Sequence, residues 1–358
     1  MGRRRRRNGA DTILQGVLLV DKPAGVTSHE VCQRIKARLR LGKVGHGGTL
    51  DPFATGLLPL LLNGATRVMP YLQNQDKCYE AVVRLGVRTD TMDPTGEVTQ
   101  QRDASAVDEA SIREALKGFL GEQQQTVPRF SAARVEGRRL YDYARSGEEV
   151  ALPVKDVVIH GIELMGLEQA ESTADVVIQV KCGAGTYVRA LADDLGEVLG
   201  VGGHLHMLRR TSTGSLSVDD ALPLDHIVEK SEQWRTERQA LQEGGEVIRF
   251  VPEDNARRWR DFLAGALCPV ADLLGGLPTL RLPDLLAARV GSGQPLRKSE
   301  LQQDPALMAL DFHEGDRLVL EDGNGLRGVA VVRATCSRGS LSRREAGAVV
   351  FQVERVLR

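Results

Sequence analysis

The densest cluster of chemically special residues in the chain is Gly45-His46-Gly47-Gly48-Thr49-Leu50-Asp51-Pro52. Its three glycines allow positive φ or a close approach of backbone to a ligand, with a histidine, a threonine and a carboxylate among them. Two readings stay open on these residues alone. Asp followed by Pro makes a good N-cap and first helical residue, with Ala54-Thr55-Gly56 ending a single turn. Alternatively, the loop presents His46, Thr49 and Asp51 to a ligand. No Gly-x-x-x-x-Gly-Lys-Ser/Thr loop is present, and Gly183-Ala184-Gly185 and Gly200-Val201-Gly202 fall short of a dinucleotide fingerprint, so no nucleotide cofactor is expected. His204 and His206 have no acidic or cysteine partner at ligand spacing, and no metal site is expected there. The five cysteines are scattered and never form C-x-x-C, which argues for reduced thiols rather than disulfides or a zinc knuckle.

Several elements could position such a loop. Gly16-Val17-Leu18-Leu19-Val20 reads as a strand closed by the turn Asp21-Lys22-Pro23-Ala24-Gly25. Thr27 and Glu30 have capping-box spacing, and Val31, Ile35 and Leu39 recur on one helical face. Arg34, Lys36, Arg38, Arg40 and Lys43 fall mostly on the other faces, giving a cationic helix. Residues 79–85 and 175–182 alternate as half-buried strands, the second ending in the turn Gly183-Ala184-Gly185-Thr186. After that turn Val188, Leu191, Ala192, Leu195 and Leu199 form a helical stripe, and Ile112, Leu116 and Phe119 form another within 111–120. Strands and helices mix without regular alternation, which predicts an α+β fold.

Beyond about residue 225 the pattern changes: 229–245 is highly charged and 253–267 reads as a helix holding Trp259, Phe262 and Leu263. Short strands follow at 317–321, 326–332 and 349–357, with Asn324-Gly325 as a hairpin signal. The expected organisation is a disordered basic arm (1–10, with Arg3 to Arg7 unbroken), a catalytic domain (11–272) and a small β-rich domain (273–358). The arm suits either a solubilising tail or phosphate binding. Hydrophobic residues make up 42% and charged residues 27%, the range of soluble globular proteins, and the formal net charge of −1 excludes no partner class. No apolar run approaches the roughly 20 residues that span a bilayer, and the leading arginines have no apolar core behind them, so a cytoplasmic location is expected.

Taken in order along the chain, its motifs resemble those of the TruB-type tRNA pseudouridine synthases of bacteria. The matching pieces are Leu19-Val20-Asp21-Lys22-Pro23, the block at 45–56, Asp76-Lys77-x-Tyr79, Arg84-Leu85-Gly86 and Arg88-Thr89-Asp90-Thr91. Further on come Ser131-Ala132, Tyr141-x-x-Ala144-Arg145-x-Gly147, Gly185-Thr186-Tyr187-Val188-Arg189 and Leu208-Arg209-Arg210. They span residues 16–215. The resemblance implies a mixed, largely antiparallel sheet with helices packed on it, plus a C-terminal PUA-like RNA-binding domain. The implied reaction converts uridine-55 in the TΨC loop of tRNA to pseudouridine, without cofactor or metal, in a monomer.

Residue roles follow from the same resemblance. Asp51 would be the nucleophilic carboxylate, with Arg189 beside it favouring the ionised form. Tyr79 would stack on the uracil and serve in proton transfer, stacking being worth about 1–3 kcal/mol per base while tolerating a rotating ring. Tyr187 would close the pocket, Leu208 would supply an apolar wall, and His46 would enter the gap left by the extruded base. Lys22, Arg67, Arg209 and Arg210 would contact the substrate, the arginines at phosphates. Taken singly, Arg189 reads as a helix-surface residue, Tyr79 as a core aromatic and Leu208 as a buried leucine. Three departures stand out: Gly47 where threonine or serine is usual, leaving the loop more flexible; Cys78 in place of an arginine; and Arg129-Phe130 where Pro-Tyr is common. An RNA-binding module without chemistry, or a synthase acting on another RNA such as ribosomal RNA, are the competing readings.

Overall fold

A computed structural model describes residues 15–243, 262–263, 265–274, 277–301, 313–322, 325–332 and 349–356. The basic arm, residues 253–261 and 264 of the helix expected at 253–267, and Asn324 of the expected hairpin turn lie outside the described residues.

The loop carrying Asp51 is framed by the N-terminal elements: β1 (Gly16–Lys22), α1 (Ser28–Leu39), β2 (Val44–His46), β3 (Thr55–Leu62), α2 (Met69–Gln73) and β4 (Lys77–Leu85). Helix α3 (Glu109–Lys117) is followed by β5 (Gly121–Thr126), β6 (Val154–Gln169), β7 (Ala174–Cys182), α4 (Val188–Val198) and β8 (Gly203–Thr213). The main sheet runs Leu222–Pro223, β1, β3, β8, β4, β7, β6, β5. All neighbours in this order are antiparallel except Leu222–Pro223 with β1 and β3 with β8. This is the expected mixed, largely antiparallel sheet. Helices cover one face of it, where Val31, Ile35, Ala81, Val83, Ile178, Leu191 and Leu195 share one core.

Local chemistry accounts for the elements. The Thr27 hydroxyl accepts from the Glu30 N–H at 3.1 Å, while Glu30 Oε2 accepts from the Thr27 N–H at 2.7 Å, so the box that caps α1 is complete. Val31, Ile35 and Leu39 are buried, while Arg34 and Lys36 are exposed. Asp108 caps α3, which therefore begins two residues before the apolar stripe suggests. The charged stretch from 229 is helical as far as Glu243.

One irregularity matters for function. Between Leu205 and Met207 the β8–β4 register slips by one residue, so Leu205 faces Val83 but Leu208 faces Ala81 and Arg210 faces Tyr79. A one-residue slip exchanges the faces of every later side chain. Without this bulge Met207 and Arg209, rather than Leu208 and Arg210, would share the face of Tyr79.

Near the C-terminus, five strands form a second sheet in the order Thr279–Arg281, Arg317–Asp322, Gly325–Val332, Val349–Val356, Leu296–Arg297, with its own core around Leu318, Leu320 and Phe351. Val319 and Val329 on that sheet join Val17, Leu19, Leu57, Leu61 and Leu72 in a third cluster, which packs the two sheets together. Among the described residues no helix is long and apolar enough to cross a membrane.

Candidate active site

Asp51 lies in the loop joining β2 to β3. Its carbonyl accepts from the Ala54 N–H at 3.1 Å in a tight turn, but no helix follows, because the chain enters β3 at Thr55. The capping reading is thereby corrected: the carboxylate does not cap, and both its oxygens turn to Arg189. Arg189 Nε stands 2.9 Å from Oδ2, and Nη2 donates to Oδ1 at 3.5 Å. Gly56 makes this exit possible. Its φ is +97°, and a Cβ there would lie 2.3 Å from the carbonyl oxygen of Arg210 on the neighbouring strand, so only glycine fits.

Arg189 is 4% exposed in the first turn of α4, so reading it as a helix-surface residue is excluded. Its other donors reach Thr91 O at 3.0 Å and Phe130 O at 2.9 Å, and Nη1 stands 3.5 Å from Asp93 Oδ2. The planar fork thus ties the Asp51 loop to two further segments. Asp93, 5% exposed, was not singled out by sequence reasoning, although the motif 88–91 ends two residues before it. Its Oδ1 accepts from the Thr95 N–H at 2.9 Å and the Thr91 hydroxyl at 2.8 Å, so the Thr-x-Asp-x-Thr spacing was the available signal.

Burial pushes the Asp51 carboxyl above its ordinary range, with Asp93 adding to the rise, against lowering by Arg189 and Lys22. Pairing with Arg189 therefore moderates the burial cost without reversing it. Because the ionised form gains as pH rises, a reaction that needs this carboxylate loses rate as pH falls through a pKa above the unshifted 3.8. Neutralising Asp93 removes one cause of the rise, so Asp93→Asn is expected to move the acid limb of the single-turnover rate to lower pH. A limb that stays put or moves upward would count against this coupling.

Around the pair lies a cavity of about 550 Å³. Tyr79, Tyr187, Leu208 and Arg210 line it with Asp51 and Arg189, as do Lys77, Ser131 and Lys155. Tyr79 is buried on the inner face of β4, and burial raises its hydroxyl pKa against a hydrogen bond from Arg210. Gln125 fixes the backbone of Tyr187, accepting from its N–H at 3.0 Å and donating to its carbonyl at 3.3 Å. The Tyr187 hydroxyl pKa is also raised by burial, and Ser131 and Arg189 lower it in part. Lys77, part of the motif that leads into Tyr79 but given no site role there, is buried with its pKa pushed down to about 8, and donates to the carbonyls of Gln73 and Gln75.

Other expected substrate contacts stand elsewhere. Lys22 is 0% exposed and donates to the carbonyls of Val26 (2.8 Å), Pro23 (2.9 Å) and Pro52 (3.2 Å). Its substrate role is corrected to a tie between the turn after β1 and the residue following Asp51, with burial lowering its pKa to about 8. Arg210, 1% exposed, donates to Leu57 O at 2.8 Å and Gly48 O at 3.2 Å, which replaces the expected phosphate contact with internal ones. Both ammonium and guanidinium donors must be paired once buried, and backbone carbonyls do this. Arg209 projects from the opposite face of the sheet into a bidentate pair with Asp21 at 2.8 and 3.0 Å. Arg67 is exposed, with Nη1 donating to Val356 O at 2.8 Å on the second sheet. His46 is partly exposed on β2 outside the cavity lining, its pKa lowered by burial and by Arg210. Gly47 does not loosen its loop: its N–H donates to Pro59 O at 2.9 Å, and Leu72 fills the space beside it.

A family model described as TruB family pseudouridylate synthase (N terminal domain) matches residues 36–188, and one described as tRNA pseudouridylate synthase B C-terminal domain matches 189–249. The chain is 40% identical over 318 residues to tRNA pseudouridine synthase B of Burkholderia pseudomallei (strain 668), covering 88% of this chain and 93% of that protein. It is 46% identical over 222 residues to tRNA pseudouridine synthase B of Arthrobacter sp. (strain FB24), covering 62% of this chain and 72% of that protein. A solved H/ACA RNP bound to a substrate RNA containing 2'-deoxyuridine includes a chain with a TM-score of 0.66 and 26% identity, covering 97% of this chain and 86% of that one. A Cbf5-Nop10-Gar1 complex matches at the same TM-score and identity, over 98% and 88%.

Proposed function

Because the chain belongs to the TruB family of pseudouridylate synthases, we propose that this tRNA pseudouridine synthase isomerises uridine-55 of the TΨC loop, with Asp51 as nucleophile. The observation that carries this reading is the Asp51–Arg189 pair, 2.9 Å apart, in a cavity walled by Tyr79, Tyr187 and Leu208.

The reaction breaks C1′–N1, turns the base and forms C1′–C5; C5 loses a proton and N1 gains one. Its electron balance calls for no redox cofactor. The target base leaves its stack and enters the cavity, at a cost of a few kcal/mol for unstacking. Ring and aliphatic walls suit a base that must rotate, because stacking and apolar contact do not depend on which ring edge points where. Arg189 holds Asp51 Oδ2 tightly and Oδ1 loosely, which leaves Oδ1 the freer oxygen for attack or for assisting elimination. The Tyr79 hydroxyl, hydrogen-bonded to Arg210, is the candidate for moving the C5 proton.

Exposed Arg34, Lys36 and Lys43 and the second sheet supply the proposed outer RNA contacts, the sheet as a PUA-like domain over 273–358 beside a catalytic domain over 11–272. Leu267–Cys268 still pairs with β1 whereas the strands from Thr279 onward form their own sheet, which supports that division. The chain acts as a monomer in the cytoplasm in this reading. His46 is proposed to fill the gap left by the extruded base, from its place on β2 beside the loop.

Tritium release from [5-³H]uridine-labelled, unmodified tRNA transcript, followed by mapping of the product, tests reaction and position together. Release with pseudouridine at position 55 is the expected result. Binding without release would leave an RNA-binding module, and pseudouridine elsewhere would point to another target.

A further inference from the structure

Gly45 on β2 and Gly47 just beyond its end both turn their bare Cα toward α2. Met69 and Leu72, three apart on α2, share one helix face and fill that side. A Cβ on Gly45 would lie 2.4 Å from Met69 Cε, and one on Gly47 2.1 Å from Leu72 Cδ2 and 2.7 Å from Leu72 Cγ. The helix side chains occupy the volume that side chains on the strand would need. Four residues beyond Gly47 stands Asp51, and the stretch between is clamped at its far end by Ser28, whose hydroxyl pairs with Leu50 N–H at 2.9 Å and Leu50 O at 3.0 Å.

The same helix is tied on its other side to the second sheet. The Tyr71 hydroxyl donates to Glu354 Oε2 at 2.7 Å, and Arg67, in the turn two residues ahead of the helix, donates to Val356 O at 2.8 Å; both acceptors lie on the strand Val349–Val356. Arg317 of that sheet stands 3.0 Å from Glu354. Helix α2 is therefore wedged between the C-terminal sheet and the loop that carries the carboxylate.

Resting on the reading of Asp51 as nucleophile, we propose that Met69 and Leu72 are positioning residues for the Asp51 loop, and that α2 transmits the seating of the C-terminal sheet to the carboxylate. A close-packed wedge moves as a unit, since packed side chains leave no room for continuous deformation. Displacing Leu72 or α2 then shifts Asp51 against Arg189 without touching RNA contacts.

The test is a cycle of Gly47→Ala, Leu72→Ala and the double variant, with Tyr71→Phe alongside, read as single-turnover tritium release under saturating enzyme and as tRNA Kd. The Gly47→Ala variant should lose about 100-fold in rate, the scale of a misplacement of about 1 Å, and Leu72→Ala in that background should recover at least about tenfold. The Tyr71→Phe variant, lacking one hydrogen bond to the second sheet, should slow by about threefold with Kd within about twofold of wild type for every variant. A wild-type rate in Gly47→Ala, or a double variant no faster than Gly47→Ala, overturns the positioning role. An unchanged rate in Tyr71→Phe overturns the transmission. Should Gly47→Ala fail to fold, Gly45→Ala with Met69→Ala reads the neighbouring contact on the same helix, through a flexible partner, under the same criteria. Absence of release from the wild-type protein would instead overturn the proposed reaction itself.

Discussion

Replacing Asp51 by Asn is expected to lower the single-turnover rate of tritium release by roughly 10⁴-fold or more, the scale on which loss of a nucleophile acts. Binding of tRNA should persist, since in the proposed reaction the carboxylate meets the target base and not the phosphates that dominate affinity. The fold should persist as well. Arg189 keeps Thr91 O, Phe130 O and Asp93 when its first partner is neutral. A carboxyl whose folded pKa is raised binds more protons folded than unfolded, so its contribution to stability falls as pH rises through that window. At neutral pH the ionised Asp51 is thus a cost to the fold, and Asp51→Asn should melt at or above the wild-type temperature. An inactive variant that also melts well below wild type would implicate misfolding and leave the nucleophile unsupported.

Arg189→Lys should have the second-largest effect, about 10²- to 10³-fold in rate, comparable to removing a preorganised charged donor from a closed site. Lysine keeps the charge but not the fork. One ammonium cannot span Asp51, Thr91 O and Phe130 O at once, so the carboxylate loses its fixed orientation and the carbonyls lose a donor. Kd for tRNA should change little, because the guanidinium is buried beneath the cavity. A rate within about tenfold of wild type would show that charge alone suffices and that the bidentate geometry is dispensable. In the same variant the acid limb separates two roles. A rate loss with an unmoved limb assigns the loss to orientation, whereas a limb shifted to higher pH shows that the ammonium, standing farther off than the guanidinium, favours the ionised carboxylate less.

The limits of sequence reading appear at particular residues. Thr27, Glu30 and the stripe Val31, Ile35, Leu39 specify α1 because capping and burial act within one or two turns of chain. The alternation around Tyr79 and around Ile178 specifies β4 and β7 for the same reason, since a strand with one buried face writes its period into neighbouring residues. Lys22 and Arg210 show the opposite case. Their types suggest phosphate ligands, yet each is enclosed and spends its donors on carbonyls: Lys22 on Pro23 and Val26 nearby and on Pro52 30 residues away, Arg210 on Leu57 153 residues away. Nothing in the spacing of a single cation says whether its partner will be RNA or backbone.

The loop around Asp51 divides along the same line. Its glycines and the Asp-Pro step announce a special conformation, and the order of motifs along the chain identifies the family and hence the reaction class. Whether Asp51 caps a helix or faces Arg189 across 138 residues of sequence is a matter of which segments meet. The bulge between Leu205 and Met207 turns Leu208 and Arg210 toward Tyr79, and register of this kind is set by the partner strand. Asp93 enters the site because its threonine neighbours fold back on it, and Leu72 enters because Gly47 leaves it room. Local periodicity and motif order were legible because they depend on residues a few positions apart or on the linear record itself. Burial, charge pairing and steric fit depend on contacts across the chain, and these exist only once it has folded.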